Sequence, residues 1–79
     1  MWKEGTIGVP TGNGKYTAVK YCAKVYDEPS QYGIKEGRIS KLELRQDGKI
    51  VYNYDRGLDL DCQTEEAEVA LAILLKEYE

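Results

Sequence analysis

The stretch that most constrains this chain is its C-terminal end, Thr64 to Glu79, reading TEEAEVALAILLKEYE. Wound at about 100° per residue, Ala67, Ala70, Leu71, Ile73, Leu74, Leu75 and Tyr78 share one broad arc, with Glu65, Glu68, Lys76 and Glu79 opposite. Thr64 is placed to cap the first turn, where Glu65, Glu66 and Glu68 suit the helix dipole. An apolar arc this wide must lie on something. The preceding residues supply a sheet.

Trp2 to Val9 reads as a short edge strand, bent at Gly5 and Gly8 and ended by Pro10, which lacks the amide a ladder needs. Asn13-Gly14 marks a tight hairpin, because both residues tolerate positive φ. Lys15 to Asp27 follows as the longest strand, with Val19, Tyr21, Ala23 and Val25 on an apolar face and Tyr16, Lys20, Cys22, Lys24 and Tyr26 on a mixed face turned to solvent. Glu28 to Gly37 is broken by Pro29, Ser30, Gly33 and Gly37, and its apolar members Tyr32 and Ile34 are expected to pin the loop to the sheet.

A second hairpin, Arg38 to Arg45 and Lys49 to Asp55, turns around Asp47-Gly48. A two-residue loop there would pair Leu44 with Val51 and Leu42 with Asn53. A three-residue loop with Gly48 in a bulge pairs Leu44 with Ile50, Leu42 with Tyr52 and Ser40 with Tyr54, which separates apolar from charged residues and is the expected register. Leu42, Leu44, Ile50, Tyr52 and Tyr54 then face the core, and Lys41, Glu43, Arg45, Lys49, Val51 and Asn53 face outward. After Asp55-Arg56-Gly57 the chain leaves the sheet, with Leu58 and Leu60 tucked under the crossing. The expected architecture is a single α+β domain: a four-stranded antiparallel sheet made of two hairpins, with the C-terminal helix packed across one face.

A chain of 79 residues buries only about 60–65% of the surface its unfolded form exposes, which leaves room for one core and little for a deep active site. No run approaches the ~18 apolar residues of a membrane span, and MWKEGTIGV lacks the apolar centre of a secretory signal, so a cytoplasmic location away from membranes is expected. Cys22 and Cys62 are expected as reduced thiols, since small secreted domains carry a fuller disulfide framework. The net charge of −3 conceals a division: residues 1–56 hold ten Lys/Arg against seven Asp/Glu, and residues 57–79 one Lys against seven Asp/Glu. A sheet of net +3 precedes an end of net −6.

Catalysis finds little support. There is no histidine, which removes the commonest general base and the usual activator of a serine or cysteine nucleophile. Gly12-Asn13-Gly14-Lys15 fails as a phosphate loop: the first glycine would fall at Val9, Tyr16 stands in place of the Ser/Thr, and a strand follows. Asp55, Asp59, Asp61 and Glu66 fail as a calcium loop, with Leu60 at the position that needs glycine. No catalytic residue, metal or cofactor is expected, and the protein is not expected to be an enzyme.

What remains is surface. Tyr16, Lys20, Lys24 and Tyr26 on one strand and Lys41 and Arg45 on another interleave aromatics with cations, a pattern that can stack on bases and hold phosphates. With Tyr32 and Ile34 of the irregular loop they form the candidate interaction surface. The leading expectation is a non-enzymatic module that binds a protein partner or forms a homodimer, because the helix arc, with Val69 beside it, is wider than the stripe of somewhat over 100° one sheet face needs. The alternative is a nucleic-acid-binding sheet, set against the overall acidity. A third reading makes the acidic end an imitator of nucleic acid that inhibits its binder.

Trp2-Lys3-Glu4-Gly5, Tyr26-Asp27-Glu28-Pro29-Ser30, Tyr32-Gly33-Ile34, Gly37-Arg38-Ile39-Ser40-Lys41-Leu42 and Tyr52-Asn53-Tyr54-Asp55-Arg56-Gly57 together resemble a family of small uncharacterised proteins of phages, prophages and their Firmicute or gut bacterial hosts. The resemblance spans nearly the whole chain and implies a mobile-element accessory protein. It carries over no site residues.

Overall fold

The computed structural model describes residues 1–78. Strands β1 (Trp2–Gly12), β2 (Lys15–Val25), β3 (Ile39–Gln46), β4 (Lys49–Asp55) and β5 (Leu58–Leu60) form one antiparallel sheet in the order β1-β2-β3-β4-β5, followed by α1 (Glu65–Glu77). The sheet therefore has five strands where four were expected. Leu58 and Leu60 extend the meander as β5, and Leu58 is exposed rather than tucked beneath the crossing.

Both tight turns form at the expected dipeptides. Asn13 and Gly14 have φ of 52° and 72°, and Asp47 and Gly48 have 53° and 78°, the paired left-handed conformations of a two-residue hairpin turn. β1 is longer than expected. It continues through Pro10, paired with Tyr16, to Gly12, and Thr11 is the extra residue of a bulge. An edge strand tolerates a missing amide on its open side, so proline does not end it.

The β3–β4 register corrects the expected one. The turn has two residues, with Gln46 opposite Lys49, and the irregularity lies within the strand: Arg45 pairs with Ile50, Leu44 with Tyr52 and Leu42 with Tyr54. Val51 is the bulged residue. It is buried at 6% exposure while Ile50 is 41% exposed, reversing their expected faces, and its carbonyl accepts the Gln63 amide at 2.9 Å. That bond fastens the bulge to the segment entering the helix.

α1 contacts β1, β2 and β3, closing a core of Val9, Val19, Ala23, Leu42, Leu44, Ala67, Ala70 and Leu74, with Val51 and Tyr52 on the β4 side. Thr64 caps it as expected: its hydroxyl oxygen accepts the Ala67 amide at 3.0 Å and donates to Gln46 Oε1 at 2.7 Å. Gln46 Nε2 donates to Glu66 at 3.0 Å, so both polar groups of this buried side chain are satisfied and the β3 end is tied to the helix start. Ile73, expected inside the arc, is 43% exposed, as is Val69 one turn before it. Glu79 lies outside the described residues.

Candidate functional site

The helix leaves the opposite face of the sheet uncovered, and strand order decides what meets there. Directly opposed residues share a face. On the outer face Lys20 of β2 stands opposite Arg45 of β3, Cys22 opposite Glu43, and Lys24 opposite Lys41. Glu4 and Trp2 of β1 flank Cys22 and Lys24, and Asn53 and Asp55 of β4 flank Glu43 and Lys41. Two cross-strand pairs are thus cation against cation, an arrangement that weakens a sheet. Partial compensation comes from Arg45–Glu43 at 2.7 Å and Lys41–Asp55 at 3.6 Å.

At the Lys24–Lys41 end the face deepens into an open basin of about 500 Å³ lined by Lys24, Tyr26, Ser30, Tyr32, Ser40, Lys41 and Arg56. Its walls are held by backbone. The β2–β3 register shifts between Lys24 and Val25, leaving Ser40 as an extra residue whose carbonyl accepts the Arg56 amide at 3.0 Å. Arg56 has φ of 54°, a left-handed backbone rarely adopted by a side-chain-bearing residue, in the β4–β5 turn next to Gly57.

Across the basin, the loop between β2 and β3 is closed by bonds from the Ser30 amide to the Gly37 carbonyl at 3.1 Å and from the Gly33 amide to the Ser30 carbonyl at 3.0 Å. Gly33 is required there, because a Cβ would run into the Gly37 carbonyl oxygen. The Tyr54 hydroxyl donates to the Tyr32 carbonyl at 3.2 Å and joins the loop to β4.

The electrostatics are positive. Among the described residues Lys41 has an ion-pair partner, Asp55, whereas Lys24 and Arg56 have none. The Lys24 ammonium lies 5.5 Å from the Tyr26 ring centroid, within cation–π range. As hydrogen-bond donor and as charge, Lys24 holds the Tyr26 hydroxyl below the usual phenol range, with smaller contributions from Ser40 and Lys41.

Of the surface residues expected from sequence, Lys24, Tyr26, Tyr32 and Lys41 come together in the basin. Lys20 and Arg45 lie two rungs away, beyond Cys22 and Glu43. Tyr16 is exposed beside the first hairpin, roughly 26 Å along the strand from Lys24 at about 3.3 Å per residue. Ile34 is no surface residue: it is buried at 6% exposure in the core cluster, while Tyr32 beside it is exposed. Sequence reading missed Arg56, Ser30 and Ser40. The left-handed turn ahead of Gly57 was the one signal that could have drawn attention to Arg56.

Both cysteines are unbridged, and burial pushes each thiol above its usual range, with Glu4 adding to the effect at Cys22 and Asp61 at Cys62. Among the described residues no cluster of three or more His, Cys, Asp or Glu is placed to hold a metal, and no helix is long and apolar enough to cross a membrane.

Fold and surface together define a small α+β domain: an antiparallel meander with one helix on one face and a cation-and-tyrosine basin on the other. The chain belongs to the family described as Domain of unknown function (DUF7678), which matches it over residues 1–79. No curated protein and no solved structure matches it.

Proposed function

We propose that the protein is a non-enzymatic interaction module that engages a partner protein with the outer face of its sheet. The observation that carries this reading is the composition of that uncovered face. Trp2, Tyr16 and Ile50 are exposed among charges of both signs, and aromatics and arginine are the residues enriched where proteins meet. The absence of histidine and the raised thiols run the same way, since neither cysteine is poised as a nucleophile. A cytoplasmic accessory role in a phage or prophage setting fits this reading.

Affinity capture from host extract tests it, comparing the native chain with an outer-face variant, Tyr16→Ser with Ile50→Thr, and a helix-edge variant, Val69→Ser with Ile73→Ser. The expected result is one partner retained by the native chain and the helix-edge variant and lost by the outer-face variant. Retention by the outer-face variant and loss by the helix-edge variant overturns the assignment of the surface.

Self-association through the helix edge is the second reading, favoured by Val69 and Ile73 standing one turn apart at 43% exposure each. Light scattering coupled to size exclusion decides it. A dimer dissolved by Val69→Ser with Ile73→Ser supports it, and a monomer at all micromolar concentrations removes it.

A further inference from the structure

We infer that the basin is a binding site for a nucleotide unit, its phosphate held by Lys24, Lys41 and Arg56 and its base laid against the ring of Tyr26 or Tyr32. This goes beyond a protein-binding outer face and uses different residues. Charge complementarity carries it first. Three cations line the basin and, among the described residues, one carboxylate is paired with them, Asp55 with Lys41, in a protein whose overall charge is −3. Opposing Lys24 to Lys41 across neighbouring strands costs stability that an anion between them would recover.

The shape and the remaining chemistry narrow the ligand. About 500 Å³ lies within the range of small-ligand sites, and suits a mononucleotide. An inorganic anion would leave the two tyrosine rings and much of that space unused, whereas a base has a π-face to lay on an exposed ring. Tyr32 is 55% exposed and Tyr26 44%, so both rings present surface. Ser30 lines the basin with a hydroxyl that accepts the Tyr32 amide and can still donate to a phosphate or sugar oxygen, whereas the buried Ser40 hydroxyl donates to the Lys24 carbonyl at 3.5 Å. A nucleotide can arrive free or as a link of a single strand, and the chemistry at the basin is the same.

Arg56 offers a clean separation of binding from folding. Its φ of 54° is one that glycine adopts freely, so Arg56→Gly removes the guanidinium without opposing the turn. Amide NMR titration at ~50 mM salt, where phosphate contacts count most, is run with adenosine monophosphate, inorganic phosphate, a short oligothymidylate and a poly-glutamate peptide. The expected result is that adenosine monophosphate shifts amides of the Ser30–Arg38 loop and of Lys24, Lys41 and Arg56. Affinity should fall by about tenfold in Arg56→Gly and again in Lys24→Gln, each having lost a charged hydrogen bond, with the thermal midpoint lowered in neither.

Tyr32→Leu and Tyr26→Leu separate stacking from charge. One of them should weaken adenosine monophosphate several-fold and leave inorganic phosphate unchanged. Oligothymidylate binding much tighter per site than the monophosphate identifies a strand as the source, and equal binding identifies the free nucleotide. The inference is overturned if neither nucleotide form shifts the basin, if Arg56→Gly and Lys24→Gln bind as the native chain does, or if poly-glutamate occupies the basin and nucleotides do not.

Discussion

On the helix side of the sheet, Val19, Ala23, Leu42 and Leu44 are sealed beneath Ala67, Ala70 and Leu74, and the buried polar Gln46 has both side-chain groups bonded. On the far side, the same two neighbouring strands, β2 and β3, set Lys20 against Arg45 and Lys24 against Lys41, with Trp2 and Ile50 exposed at the margins. β2 and β3 contribute to both faces residue by residue, so the difference is one of burden and not of backbone. The covered face supplies stability, and the outer face is released to hold like charges side by side. A domain this small has one core with which to offset that cost.

The largest effect follows from opening the covered face. Leu74 is fully buried on α1. Leu74→Ala removes apolar contact and leaves a cavity between helix and sheet, at a cost of about 2–5 kcal/mol. For a domain with a total stability of about 5–15 kcal/mol that is a large share. Urea unfolding monitored by circular dichroism should show the midpoint fall accordingly. A loss comparable to that of an outer-face substitution would mean that the helix does not seal the core.

A smaller effect comes from proton linkage on the same face. Tyr52 is 3% exposed, and its hydroxyl is pushed up to about 12 by burial, with smaller contributions from Cys62, Tyr54 and Asp61. In the unfolded chain a tyrosine titrates near 10. Between these values the unfolded state releases a proton that the folded state keeps, so the contribution is fully present below about pH 10 and is lost as pH rises toward about 12. The loss at the top of that window is about 2 kcal/mol. Native and Tyr52→Phe proteins unfolded in parallel across it should diverge, the native chain falling faster; parallel curves would place the Tyr52 hydroxyl in water.

What could be read from the chain follows the same division. The covered face was legible because burial leaves a chemical trace: alternation marked Val19, Tyr21, Ala23 and Val25, helical periodicity marked α1, and Thr64 marked its cap. Asn13-Gly14 and Asp47-Gly48 were legible because few residues accept positive φ. β5 was not, since three residues with two leucines look the same in a loop as in an edge strand. Nor was the basin. It depends on β2 and β3 being neighbours, on the extra residue at Ser40 and on a turn that brings Arg56 back beside them, and none of these leaves a periodic trace.

The bulge in β4 shows most sharply where alternation stops being informative, and it yields the smallest of these effects. Ile50 and Val51 are adjacent, β-branched and almost equally apolar, so segregating apolar from charged side chains cannot tell which of them faces inward. Geometry decides it: with Arg45 opposite Ile50 and Leu44 opposite Tyr52, Val51 turns into the core and Ile50 into solvent. The same substitution at both positions measures the difference between the faces. Val51→Thr places a hydroxyl in the core and should cost about 1–2 kcal/mol. Ile50→Thr keeps a β-branched residue on an exposed strand and should stay within about 0.5 kcal/mol. Equal losses would mean that Ile50 and Val51 are buried alike, and a reversed order would put Ile50 against the helix-side core and Val51 in solvent, as a three-residue loop requires.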